Sequence, residues 1–355
     1  MIEPLARVST PAAVVDRARL ERSCARMRAR AEALGVRLRP HLKTAKCAEI
    51  AAIAGGVGIT VSTLEEARWL AARGYRDQTY AVGITPDKLP EVAAIDAAIT
   101  VLTDDVDVAR AIAETSLSAW IEIDCGQARG GLAPDDPRVI ACARALGPSL
   151  AGVLTHAGQS YACRSVEAVA DVAETERAAA VEAAARIRAE GIDCPGVSVG
   201  STPTALHARS LEGVTELRAG VYVFFDRFQA AIGSCARDDL ALSVVASVVS
   251  TKPEAVWIDA GTLGLSPERS MDPFGGGYGE VTALDGSPFE ADLHVDALNQ
   301  VHGRVVARQG ALPALPVGAR VRVWPNHACI TAAMYDEYVV VEGEDVVARW
   351  PRLRG

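Results

Sequence analysis

From residue 11 to about 226 the chain alternates short β-rich runs with longer amphipathic runs rich in Ala, Arg and Glu. The β-type runs are "AAVVD" (12–16), "VRLRPHLK" (36–43), "GITVST" (58–63), "TYAVG" (79–83), "AITVLT" (98–103), "AWIEID" (119–124), "AGVLTH" (151–156), "GVSVGS" (196–201) and "YVFFD" (222–226). Between them lie runs such as "RARLERSCARMRARAEAL" (17–34) and "VEAVADVAETERAAAVEAAARIRAE" (166–190). These are full of strong helix formers and hold no internal proline or glycine. Strand and helix in alternation predict right-handed βαβ units and a parallel sheet. About eight units over roughly 220 residues fit a (β/α)8 TIM-type barrel, a doubly wound sheet being the alternative.

After about residue 240 the texture changes. "ALSVVASVVST", "AVWIDAG", "ADLHVDALNQVHGRVVAR", "ARVRVWPNHACIT" and "EYVVVEGEDVVARW" are β-type runs separated by turn residues, with no long helical run. The reading is a barrel over 11–240 and a smaller all-β domain over 241–355, with residues 1–10 open to joining the latter. "PFGGGYG" (273–279) reads as a flexible loop; its G-x-G lacks the strand-to-helix context of a phosphate site.

Composition is globular, half hydrophobic and 23% charged. The net charge of −9 argues against nucleic acid or an anionic membrane as partner. No apolar run is long enough to span a bilayer, and "MIEPLARVST" lacks the basic start and apolar core of a signal peptide, so a cytoplasmic protein is expected. Eight cysteines are scattered without a C-x-x-C pair, which argues against a zinc knuckle and for thiols in a reducing compartment.

A barrel places its chemistry at the C-terminal ends of its strands. Five of these ends carry polar or glycine-rich residues: "RPHLK", "EIDCGQARGG", "THAGQS", "SVGSTPT" and "ELRAGVYVFFD". One such end is an ordinary turn, but five on one face point to a site. Lys43, inward at a strand terminus near Arg39, would be desolvated and crowded by cations. Both effects favour a neutral amine suited to condensation with an aldehyde, while a surface lysine is the plainer alternative. In "NHAC", His327 and Cys329 are two apart, so on a strand they share a face. Imidazole with thiolate suits zinc, although a core cysteine beside a hydrogen-bonded histidine is the commoner arrangement.

"TPAAVVD" followed by "RPHLKTAK" resembles the start of the pyridoxal-phosphate enzymes of the alanine racemase fold (fold type III). The likeness is greatest to the D-serine dehydratase and D-threonine aldolase family. "EIDCGQARGG" is similar to that family's D-x-G-x-x-R-x-G strand end, and "GVLTHAGQSY", "VSVGSTPT", "ELRAGVYVFFD", "WIDAG" and "VWPNHACIT" match in order. The resemblance implies that Lys43 carries pyridoxal phosphate as a Schiff base. It implies Arg129 near the cofactor's phenolic oxygen or ring, His156 against the ring face, and the phosphate held by Ser201, Thr202 and the backbone near Gly220 and Tyr222. It further implies a metal, zinc or another divalent ion, on His327 and Cys329, and a homodimer. Relatives that are aldolases more often carry a carboxylate at the second ligand position, so Cys329 leans towards dehydration.

Departures from the family pattern are Ala45, where histidine is frequent, Leu263, where lysine is frequent, and "RAG" for the more usual R-P-G. His302 and Tyr278 are further proton-donor candidates with a structural role equally open, while His207 and His294 carry no motif. Arg39 and His41 are expected as polar neighbours of Lys43, Lys46 at the solvated start of the next helix, and Cys47 as structural. The expected activity is dehydration of a D-β-hydroxy amino acid such as D-serine or D-threo-3-hydroxyaspartate to a keto acid and ammonia. The alternatives are a D-threonine-type aldolase, a non-catalytic pyridoxal-phosphate carrier, and a racemase, which would need a second base.

Overall fold

A computed structural model of the chain describes residues 3–270 and 275–354. The first two residues of "PFGGGYG" lie outside them. The chain forms two compact units: 25–43 with 50–220, and 1–24 with 44–49 and 221–355.

The first unit is built on an eight-stranded parallel sheet. In spatial order its strands are Arg37–Leu38, Glu216–Leu217, Gly196–Val199, Leu150–Thr155, Ser118–Ile123, Ala98–Thr103, Asp77–Gly83 and Ile59–Val61. The two end strands meet through a parallel bridge between His41 and Thr60. Leu42 N donates to Thr60 O at 2.8 Å and Thr60 N to Pro40 O at 2.8 Å, so the sheet closes into a ring. Strand faces are apolar almost throughout, as a parallel sheet covered on both sides requires. Connecting helices start on side-chain caps: Thr63 accepts from Glu66 N, Asp105 from Val108 N, Asp136 from Arg138 N and Ser165 from Ala168 N. Each such cap is worth about 1 kcal/mol.

The second unit carries a ten-stranded sheet. Six of its strands, Leu242–Thr251, Val256–Ile258, Gly303–Gln309, Asp292–Leu298, Gly279–Ala283 and Arg320–Pro325, follow one another and close through Val244–Ser247 against Arg320–Val323. Inside that small barrel pack Val244, Val256, Ile258, Leu293, Val295, Val305 and Val323, all with at most 1% exposure. The remaining four strands extend the sheet and bury a second cluster around Leu5, Val14, Val245, Val339 and Val341.

Two expected barrel strands are placed differently. Ala12–Asp16 is no part of the parallel ring; it pairs antiparallel with Leu242–Val245 and parallel with Val339–Val341. The run 222–226 is not a strand: Val221–Val223 is a 3-10 turn and Phe225 adopts a left-handed φ of 48°. The eighth ring strand is Glu216–Leu217, just before it. The expected helices, by contrast, span Arg17–Ala33 and Val166–Ala189. No helix among the described residues is long and apolar enough to cross a membrane.

Candidate active site and metal pair

At the C-terminal ends of the ring strands a cavity of about 510 Å³ is lined by Lys43, Ser62, Val82, Asp104, Glu122 and Arg129, among others. That size takes a small cofactor with an amino acid. Lys43 sits one turn beyond the bridge at His41 and is exposed. Its own N–H donates to His41 Nδ1 at 3.4 Å.

Arg39 is not its companion. It is buried at the opposite, N-terminal end of the strands, where its Nε donates to Glu216 at 2.7 Å and its Nη1 to Asp77 at 2.7 Å. The cations whose charges reach the site are Arg129 and Arg218. Burial, with the positive charges of Lys43 and Arg218 adding to it, holds His41 well below the usual histidine range. His156 is lowered to about 3, first by burial, then by Lys43, against the effect of its hydrogen bond to Gly200 O. That bond joins Nδ1 to Gly200 O at 2.8 Å. Both imidazoles are therefore neutral near pH 7.

Arg129 reaches the cavity because its loop is forced into shape. Asp124 Oδ1 accepts from Gly126 N at 2.9 Å and Ala128 N at 3.1 Å, and Ala128 takes a left-handed φ of 54°. The chain then doubles back, with Leu132 N on Glu122 O and Asp124 N on Leu132 O. At Gly131, φ is +92° and a Cβ would fall 2.7 Å from Asp124 N, so only glycine permits this return. Burial raises the pKa of Glu122, and the positive charge of Arg129 opposes the rise.

Ser201 caps the short helix Thr202–His207 in a capping box with Thr204, and its hydroxyl also lies 3.0 Å from Ser160 Oγ. Ser201 and Thr202 are both buried. Beneath them Glu176, fully buried on the helix Val166–Ala189, accepts from Ala157 N, Gly200 N and Thr204 Oγ1 at 2.9, 2.9 and 2.8 Å. One carboxylate thus braces the loop after His156 and the loop at Ser201. Gly200 passes so close to Arg218 that a Cβ would meet Arg218 O at 2.0 Å. Arg218 itself is buried, donating to Ser198 Oγ and Thr155 O at 2.6 Å each. Gly220 ends this unit, and Tyr222, fully buried, lies in the 3-10 turn of the other.

In the second unit the strand Arg320–Pro325 stops before the metal motif, contrary to the shared-face expectation. His327 caps the short helix Ala328–Ala332, which places Cys329 at its second position. Cys329 thus follows His327 by two positions across the start of that helix. His327 Nδ1 is 2.7 Å from Glu268 Oε2, and Thr44 Oγ1 is 3.1 Å from Cys329 Sγ. Burial of His327 opposes its charge but is outweighed by Cys329, Asp226 and Glu268, which raise its pKa to about 10. With Nδ1 taken by Glu268, Nε2 remains for Cys329 or a shared metal. Imidazole and thiolate are a donor set that suits zinc. Among the described residues no group of three or more His, Cys, Asp or Glu side chains is placed to hold a metal ion.

Other expected residues fall outside both clusters. His302 is exposed in the turn joining Asp292–Leu298 to Gly303–Gln309, and Tyr278 packs on the small barrel's core. Leu263 is exposed. Lys46 is buried rather than solvated, with a left-handed φ of 46°, and its carbonyl accepts from Leu353 N. Cys47 is buried with its thiol on Glu49, and no disulfide occurs among the described residues. The sequence reading missed Glu122, Glu176, Arg218 and Glu268. Only Glu176 left a signal, as a carboxylate in the buried stripe of Val169, Ala173, Ala180, Ala183 and Ile187.

Residues 15–228 match the family model of the alanine racemase N-terminal domain, and residues 241–341 that of a putative serine dehydratase domain. The chain is 43% identical to the D-threo-3-hydroxyaspartate dehydratase of Delftia sp. (strain HT23), covering all of both chains. It is 32% identical to a D-threonine aldolase of Arthrobacter sp, covering 98% of this chain and 93% of that one. Among solved structures, the metal-free form of a cysteine-to-alanine mutant of D-threo-3-hydroxyaspartate dehydratase superposes with a TM-score of 0.95 at 42% identity, over 99% of this chain and 100% of that one.

Proposed function

Because the chain belongs to the family of pyridoxal-phosphate lyases that couples an alanine racemase-type barrel to a serine dehydratase domain, we propose that it dehydrates a D-β-hydroxy amino acid. D-threo-3-hydroxyaspartate and D-serine represent the substrate class, and the products are a keto acid and ammonia. The observation that carries this reading is the placement of His327 and Cys329 together at the start of one short helix, a soft donor set for a metal on a β-hydroxyl. Among solved structures of D-threo-3-hydroxyaspartate dehydratase are mutants with a histidine and, two positions on, a cysteine replaced by alanine, the cysteine mutant in a metal-free form. His327 and Cys329 have the same spacing.

Bound pyridoxal phosphate supplies an electron sink for charge developing at the substrate α-carbon. Lys43 holds the cofactor, then takes the α-proton on its amine. Arg129, with Glu122 beside it, supplies the cation at the cavity, and neutral His156 packs there without adding charge. Ser201, Thr202 and the chain at Gly220 and Tyr222 take the phosphate. His327 and Cys329 would hold a divalent metal, zinc by donor softness, which would supply Lewis acidity towards the substrate's β-hydroxyl. A proton from Cα and hydroxide from Cβ leave as water; the unsaturated amine then adds water to give the keto acid and ammonia. In this reading the barrel unit supplies most of the cofactor site, the domain of 241–355 carries the metal, and the protein is a cytoplasmic homodimer.

The test is product analysis on D-threo-3-hydroxyaspartate, D-serine and D-threonine, with and without EDTA. Keto acid and ammonia, lost with EDTA and restored by zinc, are expected. Glycine and an aldehyde would instead establish the aldolase reading, and cofactor binding without turnover the carrier.

A further inference from the structure

We infer that Glu268 is a positioning residue for the metal pair, fixing the His327 ring and tautomer so that Nε2 and the Cys329 sulfur converge on one thiophilic divalent cation; this rests on the metal reading above. Glu268 Oε2 lies 2.7 Å from His327 Nδ1, so Nδ1–H donates to the carboxylate, and Nε2 is the nitrogen whose proton a bound cation displaces. Cys329 is the second residue of the helix that His327 caps, with its sulfur held 3.1 Å from Thr44 Oγ1.

The carboxylate is held there by its own backbone. Asn326, fully buried and adjacent to His327, donates from Nδ2 to Glu268 O at 2.8 Å and to Gly277 O at 3.0 Å. Its Oδ1 accepts from Ser270 Oγ at 2.9 Å. Ser266 N donates to Thr331 Oγ1, on the helix that follows His327. Glu268 and His327 therefore belong to one short closed circuit of hydrogen bonds. The ring's remaining freedom is limited by Phe228, whose centroid is 5.8 Å away at 55°.

Stability does not account for this arrangement. The Glu268 side chain is 43% exposed, and a pair so open to water contributes little to folding. Orienting a ligand is the task such a pair performs well, since partners of this kind change metal affinity about 10–100-fold.

The experiment is a zinc competition titration against a chromogenic chelator, on the metal-stripped full chain, for wild type, Glu268→Ala, Glu268→Gln and His327→Ala. Glu268→Ala should bind zinc about 10–100-fold more weakly with an unchanged metal-free unfolding midpoint. Glu268→Gln, whose amide oxygen still accepts from Nδ1–H, should recover part of that loss. Wild-type affinity in Glu268→Ala, or a loss matched by a lower metal-free midpoint, overturns the assignment. If wild type binds zinc no better than His327→Ala, the metal reading itself falls and takes this proposal with it.

Discussion

Thr44 Oγ1 lies 3.1 Å from the sulfur of Cys329, across 285 positions of sequence. Thr44 is buried and follows Lys43 directly, so its hydroxyl has few other places to turn. When the sulfur is a thiolate, the hydroxyl is the donor. Thr44→Val keeps the shape and removes the bond, which is worth about 1 kcal/mol, or roughly fivefold in affinity. Zinc binding, measured by chelator competition, should weaken by about that factor; an unchanged constant would show that the contact does not bear on the sulfur.

Replacing Lys43 tests the cofactor assignment shared by every reading of the site. Lys43→Ala should lose the bound-cofactor absorbance on desalting, and turnover should fall by about 10³-fold or more. Retained absorbance at wild-type intensity would move the attachment elsewhere.

Glu176 is a test of support rather than chemistry. Glu176→Gln can still accept from Ala157 N and Gly200 N through its oxygen and donate to Thr204, so it should be close to wild type. Glu176→Leu strands all three partners, at about 1–3 kcal/mol for each buried group. Its urea midpoint should drop clearly and its affinity for pyridoxal phosphate with it. Equal behaviour of the two variants would remove the argument.

The pH dependence follows from His156. Its folded pKa of about 3 lies below the ordinary value of 6.5, so between those limits the unfolded chain binds the extra proton. Stability is therefore retained above about pH 6.5 and declines as pH falls towards 3, at up to about 1.4 kcal/mol per pH unit for this group. His156→Asn should flatten the slope of denaturation midpoint against pH in that window. A steeper slope in the variant would contradict the burial argument.

Much of the fold is legible in the chain's periodicity, because alternating strands and long helices have few packings open to them. The failures are instructive. The pattern of "AAVVD" identifies an extended, buried segment but not its sheet, and the partners of Ala12–Asp16 lie more than 200 residues away. "YVFFD" is so uniformly apolar that strand and buried turn look alike. His327 and Cys329 do not share a strand face: the strand ends at Pro325, and the pair sits at the start of a short helix that nothing in the alternating pattern signals. Glu122, Arg218 and Glu268 acquire meaning only from partners brought near by folding, and charge alone on a sequence says nothing of burial.

The ring of parallel strands is sealed by Pro40, His41 and Leu42 against Thr60, immediately before Lys43. Lys43 lies two residues past the bridge at His41, so the same few backbone bonds that close the ring also fix the point at which the lysine leaves the sheet.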